Sequence, residues 1–354
     1  MHPQRRSYWF RRLALAGALL AAAVVVLGAW VRLTDAGLGC PDWPGCYGHI
    51  YPNAGHADSQ SGLQFAKALH EMVHRYFATT LGLVITILLV WALRFRKDRD
   101  QPLTPVALLF MVVCLQGVLG ALTVTLLLKP LIVTGHLLGG LTTLGLLWWL
   151  SLTPPTRQLT RQLTRRETAL RKFALVGLGV LVLQIALGGW TSTNYAAVAC
   201  PDLPTCQHSW WPPMDFRNAF VLWRGLGIDY EGGVLANPAR VAIHFTHRLG
   251  ALVTGSVLIS LGVLTLVTAK SRSLARAGLL VAFAVAAQIS IGVATVHWGV
   301  PLPLATMHNA GAAFLVISMV TLLRALWPTS GEPASGEPAS AIGMVPLQHA
   351  DSSR

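Results

Sequence analysis

"LGAWVRLTDAGLGCPDWPGC" (residues 27–46) aligns with "LGGWTSTNYAAVACPDLPTC" (187–206). In each stretch a tryptophan, Trp30 or Trp190, stands ten residues before a cysteine that opens C-P-D-x-P-x-C. Working outward, "QGVLGALTV" (116–124) aligns with "QISIGVATV" (288–296), and a histidine follows each glutamine by twenty residues, His136 and His308. "HEMVHR" (70–75) and "HFTHR" (244–248) add His74-Arg75 and His247-Arg248. The offset between copies is 160 residues at the cysteines and 172 or 173 from His74 onward, so the second copy has the longer intervening loop.

The repeat is set in a strongly apolar chain. Of 354 residues, 53% are hydrophobic and 12% charged, and the mean hydropathy is +0.55, outside the range of soluble domains. Runs long enough to cross a bilayer, roughly 20 helical residues each, lie near 13–33, 67–93, 104–127, 131–151, 172–192, 241–268, 274–297 and 303–326. The first is too long, and too poorly ended by small residues, for a cleaved signal peptide. Four spans in each half make the two copies run in the same direction, as bundles related by an axis along the membrane normal do. The expected fold is an all-α polytopic membrane protein whose eight transmembrane helices form two pseudo-symmetric four-helix bundles, residues 10–151 and 172–326. A tail over 328–354, with its "GEPASGEPAS" repeat, is expected to be disordered.

The net charge of +13 follows topology. Arg5, Arg6, Arg11 and Arg12 precede span 1; Arg94, Arg96, Lys97 and Arg99 follow span 2. Arg157, Arg161, Arg165, Arg166, Arg171 and Lys172 separate spans 4 and 5, and Lys270, Arg272 and Arg276 separate spans 6 and 7. All of these fall on one side, so the positive-inside rule puts both termini in the cytoplasm and the long loops, about 34–66 and 193–240, outside. The basic residues face membrane lipid and cytoplasm, and no nucleic-acid partner is expected.

Each half then offers two histidines, His74 and His136 or His247 and His308, all within a few turns of the outer ends of their helices. Paired at similar depth, they suit one iron ligated from opposite sides. Ala78 and Ala251 follow their histidines by four residues, and Gly139 and Gly311 by three, on the same helical faces. Small residues there would leave room for a flat macrocycle, and neutral imidazole is a good axial ligand for haem. Arg75 and Arg248, beside a ligand position, suit haem propionates. The plainer alternative for each histidine is a hydrogen-bonded packing residue. Zinc fits less well, since no third or fourth ligand accompanies either pair. His70, His244 and His297 lie nearby and are read as supporting residues.

Cys40/Cys46 and Cys200/Cys206 fall in outer loops, where disulfides persist. Each C-x5-C is locally self-sufficient, which favours two short disulfides over one four-cysteine zinc site; a thiol pair that passes electrons stays open. Cys114, inside span 3, reads as a small packing residue.

Taken together, the eight spans, the paired outer cysteines, Glu71-x-x-His74-Arg75, His136 after "TG", His247-Arg248 and His308-Asn309 resemble heme A synthase, the family that converts haem O to haem A for terminal oxidases. The resemblance covers about residues 10–326. It implies a substrate haem O at His74 and His136 of the first bundle, and a haem b cofactor at His247 and His308 of the second. It also implies a bacterial cytoplasmic (inner) membrane location, a supply of substrate from haem O synthase, and an electron-transfer partner. Some members lack the loop cysteines, so these bear little on the core reaction.

Glu71 breaks the repeat, because His244 holds its place in the second half. A carboxylate at membrane depth is costly to keep, so its presence in one half points to chemistry there. The resemblance implies oxidation of a haem methyl to hydroxymethyl and then, through a hydrate, to the aldehyde, with Glu71 accepting protons or stabilising a cation. Its other reading is a helix N-terminal charge or a partner for Arg75. A cytochrome b-like electron carrier is the alternative function; it has no evident need for a one-sided glutamate.

Overall fold

In a computed structural model that describes residues 3–51, 62–98, 101–153 and 162–328, every extended element is helical. The elements are α1 (Pro3–Leu33), α2 (Gly62–Arg94), α3 (Leu103–Thr125), α4 (Pro130–Ser151), α5 (Arg165–Thr193), the single turn α6 (Phe216–Ala219), α7 (Asn237–Thr268), α8 (Arg272–His297) and α9 (Leu302–Ala325). All but α6 are long and apolar enough to span a membrane, so the eight expected spans are present and the chain is a multi-pass membrane protein. Nearly all of the tail expected over 328–354 lies outside the described residues, as do Arg99, Arg157 and Arg161.

Several helices begin earlier than the apolar runs alone define, because their first turns are polar but well capped. Thr164 and Glu167 form a reciprocal capping box that starts α5 ahead of its apolar stretch, and Ser271 accepts from the Leu274 N–H to start α8. Proline in the first turn of α4, α7 and α9 presets the helical φ where no intrahelical N–H is needed.

The repeat is reproduced in backbone detail. After α1 and α5 the chain turns through left-handed Asp35 and Tyr195 (φ 49° and 52°). The next N–H reaches back over the helix end, Ala36 to Val31 and Ala196 to Thr191, both at 2.9 Å, which satisfies a terminal carbonyl. Left-handed Leu128 and Val300 end the turns that lead into α4 and α9.

Helix neighbours run α1–α2–α3–α4 and back to α1, and α5–α7–α8–α9 and back to α5; α1 with α9, α4 with α5, and α4 with α9 join the two sets. One apolar core extends through both sets, with Leu144 and Leu147 of α4 and Val316 and Met319 of α9 among its members. At that junction the Trp148 indole donates to the Thr321 hydroxyl at 2.8 Å. Helices α7 and α8 meet closely: a Cβ on Gly278 would come within 2.8 Å of the Gly262 carbonyl. Small residues at such crossings let the backbones meet. Outward faces carry Leu83, Val90, Met111, Leu183, Leu252, Val267 and Phe283. Cys114 is among these exposed positions and is not packed inside; a small residue is tolerated on a lipid-facing surface as readily as in a core.

The helix ends sort as alternating spans require. At one end Arg6 pairs with Asp98 at 2.7 Å, and Trp149, Trp327 and Arg171 cluster. At the other lie both cysteine loops and the long connection from α5 to α7.

Candidate functional site

The cysteine loops are built alike. Cys40 bonds Cys46, and Cys200 bonds Cys206, which answers the zinc alternative in favour of disulfides. In each loop the aspartate of C-P-D folds back on the chain: Asp42 accepts from the N–H groups of Tyr47 (2.6 Å) and Gly48 (2.8 Å). Asp202 accepts from Gln207 (2.7 Å) and His208 (3.1 Å). Burial pushes the Asp42 carboxyl up, but the N–H groups of Gly48 and Tyr47, its own N–H and the Arg75 guanidinium outweigh it, and the group sits below its ordinary value. For Asp202 the Thr205 hydroxyl lowers it most, and the same set of amides adds to that.

The two arginines anchor these loops to the helices. Arg75 donates to the carbonyls of Asp42 (2.9 Å), Pro44 (3.3 Å) and Gly45 (2.6 Å). Arg248 donates to those of Cys200 (2.6 Å), Asp202 (2.9 Å) and Thr205 (2.9 Å). The sequence suggested propionate partners for both; the terminal nitrogens of Arg75 are held by loop carbonyls and Glu71 and those of Arg248 by loop carbonyls, and the buried Arg248 Nε has no protein partner among the described residues.

Glu71 is buried, with 4% of its surface exposed. One carboxylate oxygen accepts from Arg75 at 2.5 Å and the other from the Cys40 N–H at 2.9 Å. The glutamate thus ties α2 to the disulfide loop. In the second half His244, equally buried, sets its ring against the main chain at Ala196. The two residues hold equivalent positions of the repeat but reach different main-chain partners, Cys40 in the first half and Ala196 in the second. Gly39 permits this fit in the first half, since a Cβ there would strike the α2 backbone at Lys67 and Ala68.

Next come the four histidines. His74 and His136 lie within electrostatic range of each other, as do His247 and His308. Each packs on a glycine of a neighbouring helix. A Cβ on Gly28 would stand 3.0 Å from the His74 ring, and one on Gly188 3.2 Å from His247. The matching figures are 3.6 Å for Gly120 on His136 and 3.0 Å for Gly292 on His308. All four rings keep part of their surface accessible, while Nδ1 of His74, His136 and His308 is buried without a partner among the described residues. Buried polar atoms are rarely left so. Paired imidazoles with orphaned nitrogens, each walled by a glycine, fit a flat iron macrocycle. Among the described residues no group of three or more His, Cys, Asp or Glu gathers as a compact metal site.

One expectation needs correction. The space beside Gly139 and Gly311 is not free: Gln116 and Gln288 put their amides where a Cβ would be, and Gln184 does the same at Gly250. Gln184 donates to the His247 carbonyl at 3.0 Å, and Gln288 to the His308 carbonyl at 3.0 Å. The glutamines opened the aligned stretches at 116 and 288, and only their constant spacing to a histidine hinted at this. His70 stands edge-on to Trp30 at 6.2 Å and His297 to Trp298 at 5.6 Å.

Over the first half's outer end runs part of the long α5–α7 connection. Lys67 pairs with Glu231 at 3.2 Å, and Tyr230 N–H donates to the Leu127 carbonyl at 3.1 Å. Lys129, 2% exposed, bonds the Gly225 carbonyl and sits 3.7 Å from the Trp223 ring centre. This accounts for the extra residues of the second repeat.

Comparison with known proteins agrees with this architecture. The family model described as cytochrome oxidase assembly protein, COX15-CtaA, matches residues 11–320. A heme A synthase from Shewanella oneidensis is 41% identical over 332 residues, covering 91% of this chain and 97% of its own. One from Caulobacter vibrioides is 28% identical, covering 84% and 90%, and one from Halalkalibacterium halodurans 24%, covering 89% and 97%. With two histidine pairs in a duplicated eight-span scaffold, and a family match across nearly all of the described chain, the protein belongs to the COX15-CtaA family of cytochrome oxidase assembly proteins.

Proposed function

We propose that this chain carries out the heme A synthase reaction, oxidising a methyl group of haem O stepwise, through the alcohol, to the formyl group of haem A. The observation that carries the reading is a half-buried histidine pair in each half together with a buried carboxylate, Glu71, in the first half alone. In this reading residues 10–151 form the substrate bundle, with His74 and His136 facing haem O. Residues 172–326 form a second bundle, in which His247 and His308 ligate a resident haem b. When bound, that haem supplies one-electron exchange between the substrate site and an outside partner.

The chain's own groups position and accept. In this reading water supplies the oxygen: conversion of the methyl to the alcohol consumes one water and releases two protons and two electrons, the electrons passing to the outside partner. Glu71, three residues before His74 on the same helical face, is the acceptor; Arg75 holds one of its oxygens and the Cys40 N–H the other, so the carboxylate is oriented before substrate arrives. The unpartnered Arg248 Nε remains as a donor for a propionate of the second haem. The distribution of basic residues supports cytoplasmic termini in a bacterial inner membrane; in the same reading a haem O synthase supplies the substrate.

The test is expression in a host that makes haem O but lacks its own enzyme for haem A, followed by extraction and mass analysis of the pigments. Haem A and its hydroxylated precursor are expected. Glu71→Gln should keep haem bound and yield no formyl product. Only unmodified haem, held tightly in a preparation with a competent electron partner, would replace this reading with the electron carrier.

A further inference from the structure

At the end of the molecule opposite the cysteine loops, two arginines have no carboxylate partner among the described residues. Arg324, near the end of α9, lies over the Trp149 ring at 5.1 Å, and Arg171, in the second turn of α5, lies over the Trp327 ring at 5.6 Å. The two indoles meet edge-on at 5.2 Å, so α4, α5 and α9, which pack on one another, bring two cations to one aromatic pair. The Arg324 Nε is buried without a partner among the described residues, while both arginines keep part of their surface accessible. The other copy of the repeat lacks this construction. Leu152 holds the place of Arg324, and Thr321 that of Trp149. Arg11, the counterpart of Arg171, turns its Nε to the Ser7 carbonyl of its own helix at 3.4 Å.

We propose that Arg171 and Arg324, backed by Trp149 and Trp327, hold the phosphate of an anionic phospholipid where α4, α5 and α9 meet. An indole against a guanidinium fixes the plane of the cation and leaves its N–H edge for an acceptor. That edge matches two oxygens of a phosphate. Tryptophans at the ends of spans lie at headgroup depth, and basic pockets between transmembrane helices on the cytoplasmic side take anionic headgroups. The surface beyond the cations fits a lipid better than free phosphate. Leu175, one turn on from Arg171 along the same face of α5, is 46% exposed, and Val176 beside it 59%. An acyl chain lies against these residues while its phosphate stays at the arginines. Because α4 belongs to the first half and α5 and α9 to the second, the bound headgroup ties the two halves together at this end.

The full-length protein in dodecyl maltoside is titrated with phosphatidylglycerol, phosphatidylcholine or inorganic phosphate. Native mass spectrometry counts the bound lipid, and the thermal unfolding midpoint is followed in parallel. Phosphatidylglycerol is expected to bind, and to raise the midpoint, at concentrations at least tenfold below those phosphatidylcholine needs, with inorganic phosphate inert over the same range. Arg171→Gln/Arg324→Gln should weaken phosphatidylglycerol binding roughly tenfold or more. Arg94→Gln/Arg96→Gln, which removes two cations from the same end of the molecule, should leave that binding unchanged. Should the Arg171/Arg324 double variant fail to fold, Arg171→Gln decides alone by the same loss. Equal affinity for the two lipids, or unchanged phosphatidylglycerol affinity in the Arg171 and Arg324 variants, overturns the site. An equal loss in the Arg94/Arg96 variant would reveal a diffuse effect of surface charge and overturns it too. Stabilisation by inorganic phosphate to the same extent overturns a lipid as the ligand.

Discussion

Asp35 accepts a 2.6 Å hydrogen bond from the hydroxyl of Tyr195, and the two residues occupy the same position of the two repeats, 160 apart. Arg32 and Ser192 stand in the same relation: the Arg32 guanidinium donates to the Ser192 carbonyl at 2.7 Å and lies over the Tyr195 ring at 4.2 Å. Equivalent positions touch one another only beside a twofold axis. The pseudo-axis therefore passes between the ends of α1 and α5, on the side of the cysteine loops, and a different residue at each member of a pair makes the contact complementary.

The Asp35–Tyr195 contact predicts an alkaline limit. Burial raises the Tyr195 hydroxyl above its ordinary 10.0, and the Asp35 carboxylate raises it further. A group whose folded value is raised contributes stability that is whole below its unfolded value and is lost as pH rises through the folded one. The contact is expected to hold through pH 10 and fail above it. Tyr195→Phe should remove that alkaline step from a stability-against-pH profile.

The aspartates of the cysteine loops predict the acid limit with the opposite sign. Asp42 is depressed below 3.8, so its contribution is present above that pH and lost as pH falls through the lower folded value. Amide exchange at Tyr47 and Gly48 should stay slow at pH 4 and accelerate below it, and Asp42→Asn should abolish the pH step.

Arg248 gathers three carbonyls of one loop, a geometry that lysine cannot copy. Arg248→Lys is expected to cost about 1.5–3 kcal/mol and to make Cys200–Cys206 more reducible. Timed thiol labelling under mild reductant reads this directly; an unchanged labelling rate would count against the anchoring role.

Lys129 holds the α5–α7 connection through the Gly225 carbonyl and the Trp223 face. Lys129→Met keeps the apolar stem and removes the cation, at a loss of about 2 kcal/mol. Limited proteolysis between Trp223 and Gly233 should speed up in that variant, and cleavage elsewhere should not.

Gly278 and Gly82 are both mid-helix, but they differ in surroundings. A methyl group on Gly278 meets the Gly262 carbonyl at 2.8 Å and the Leu266 nitrogen at 3.0 Å, whereas nothing lies within 4 Å of Gly82. Gly278→Ala should destabilise by about 1–3 kcal/mol, since backbone cannot retreat. Gly82→Ala should be neutral or stabilising by up to about 1 kcal/mol. Unfolding titrations of the two variants check the contrast.

By itself the sequence determined the eight spans, the duplication, the register of the four histidines and the one-sided glutamate. These are properties of composition and spacing along one chain, and hydropathy and helical period report them without reference to neighbours. Only the tertiary structure decided which partners the polar groups found. It turned Arg75 and Arg248 toward loop carbonyls, set Glu71 on the Cys40 N–H, filled the space beside Gly139 and Gly311 with glutamine, and laid the longer loop of the second half over the first. The physical reason is that a buried donor or acceptor must be satisfied by whatever the packing brings within about 3 Å. That neighbour is fixed by how helices far apart in sequence meet, which no local pattern encodes.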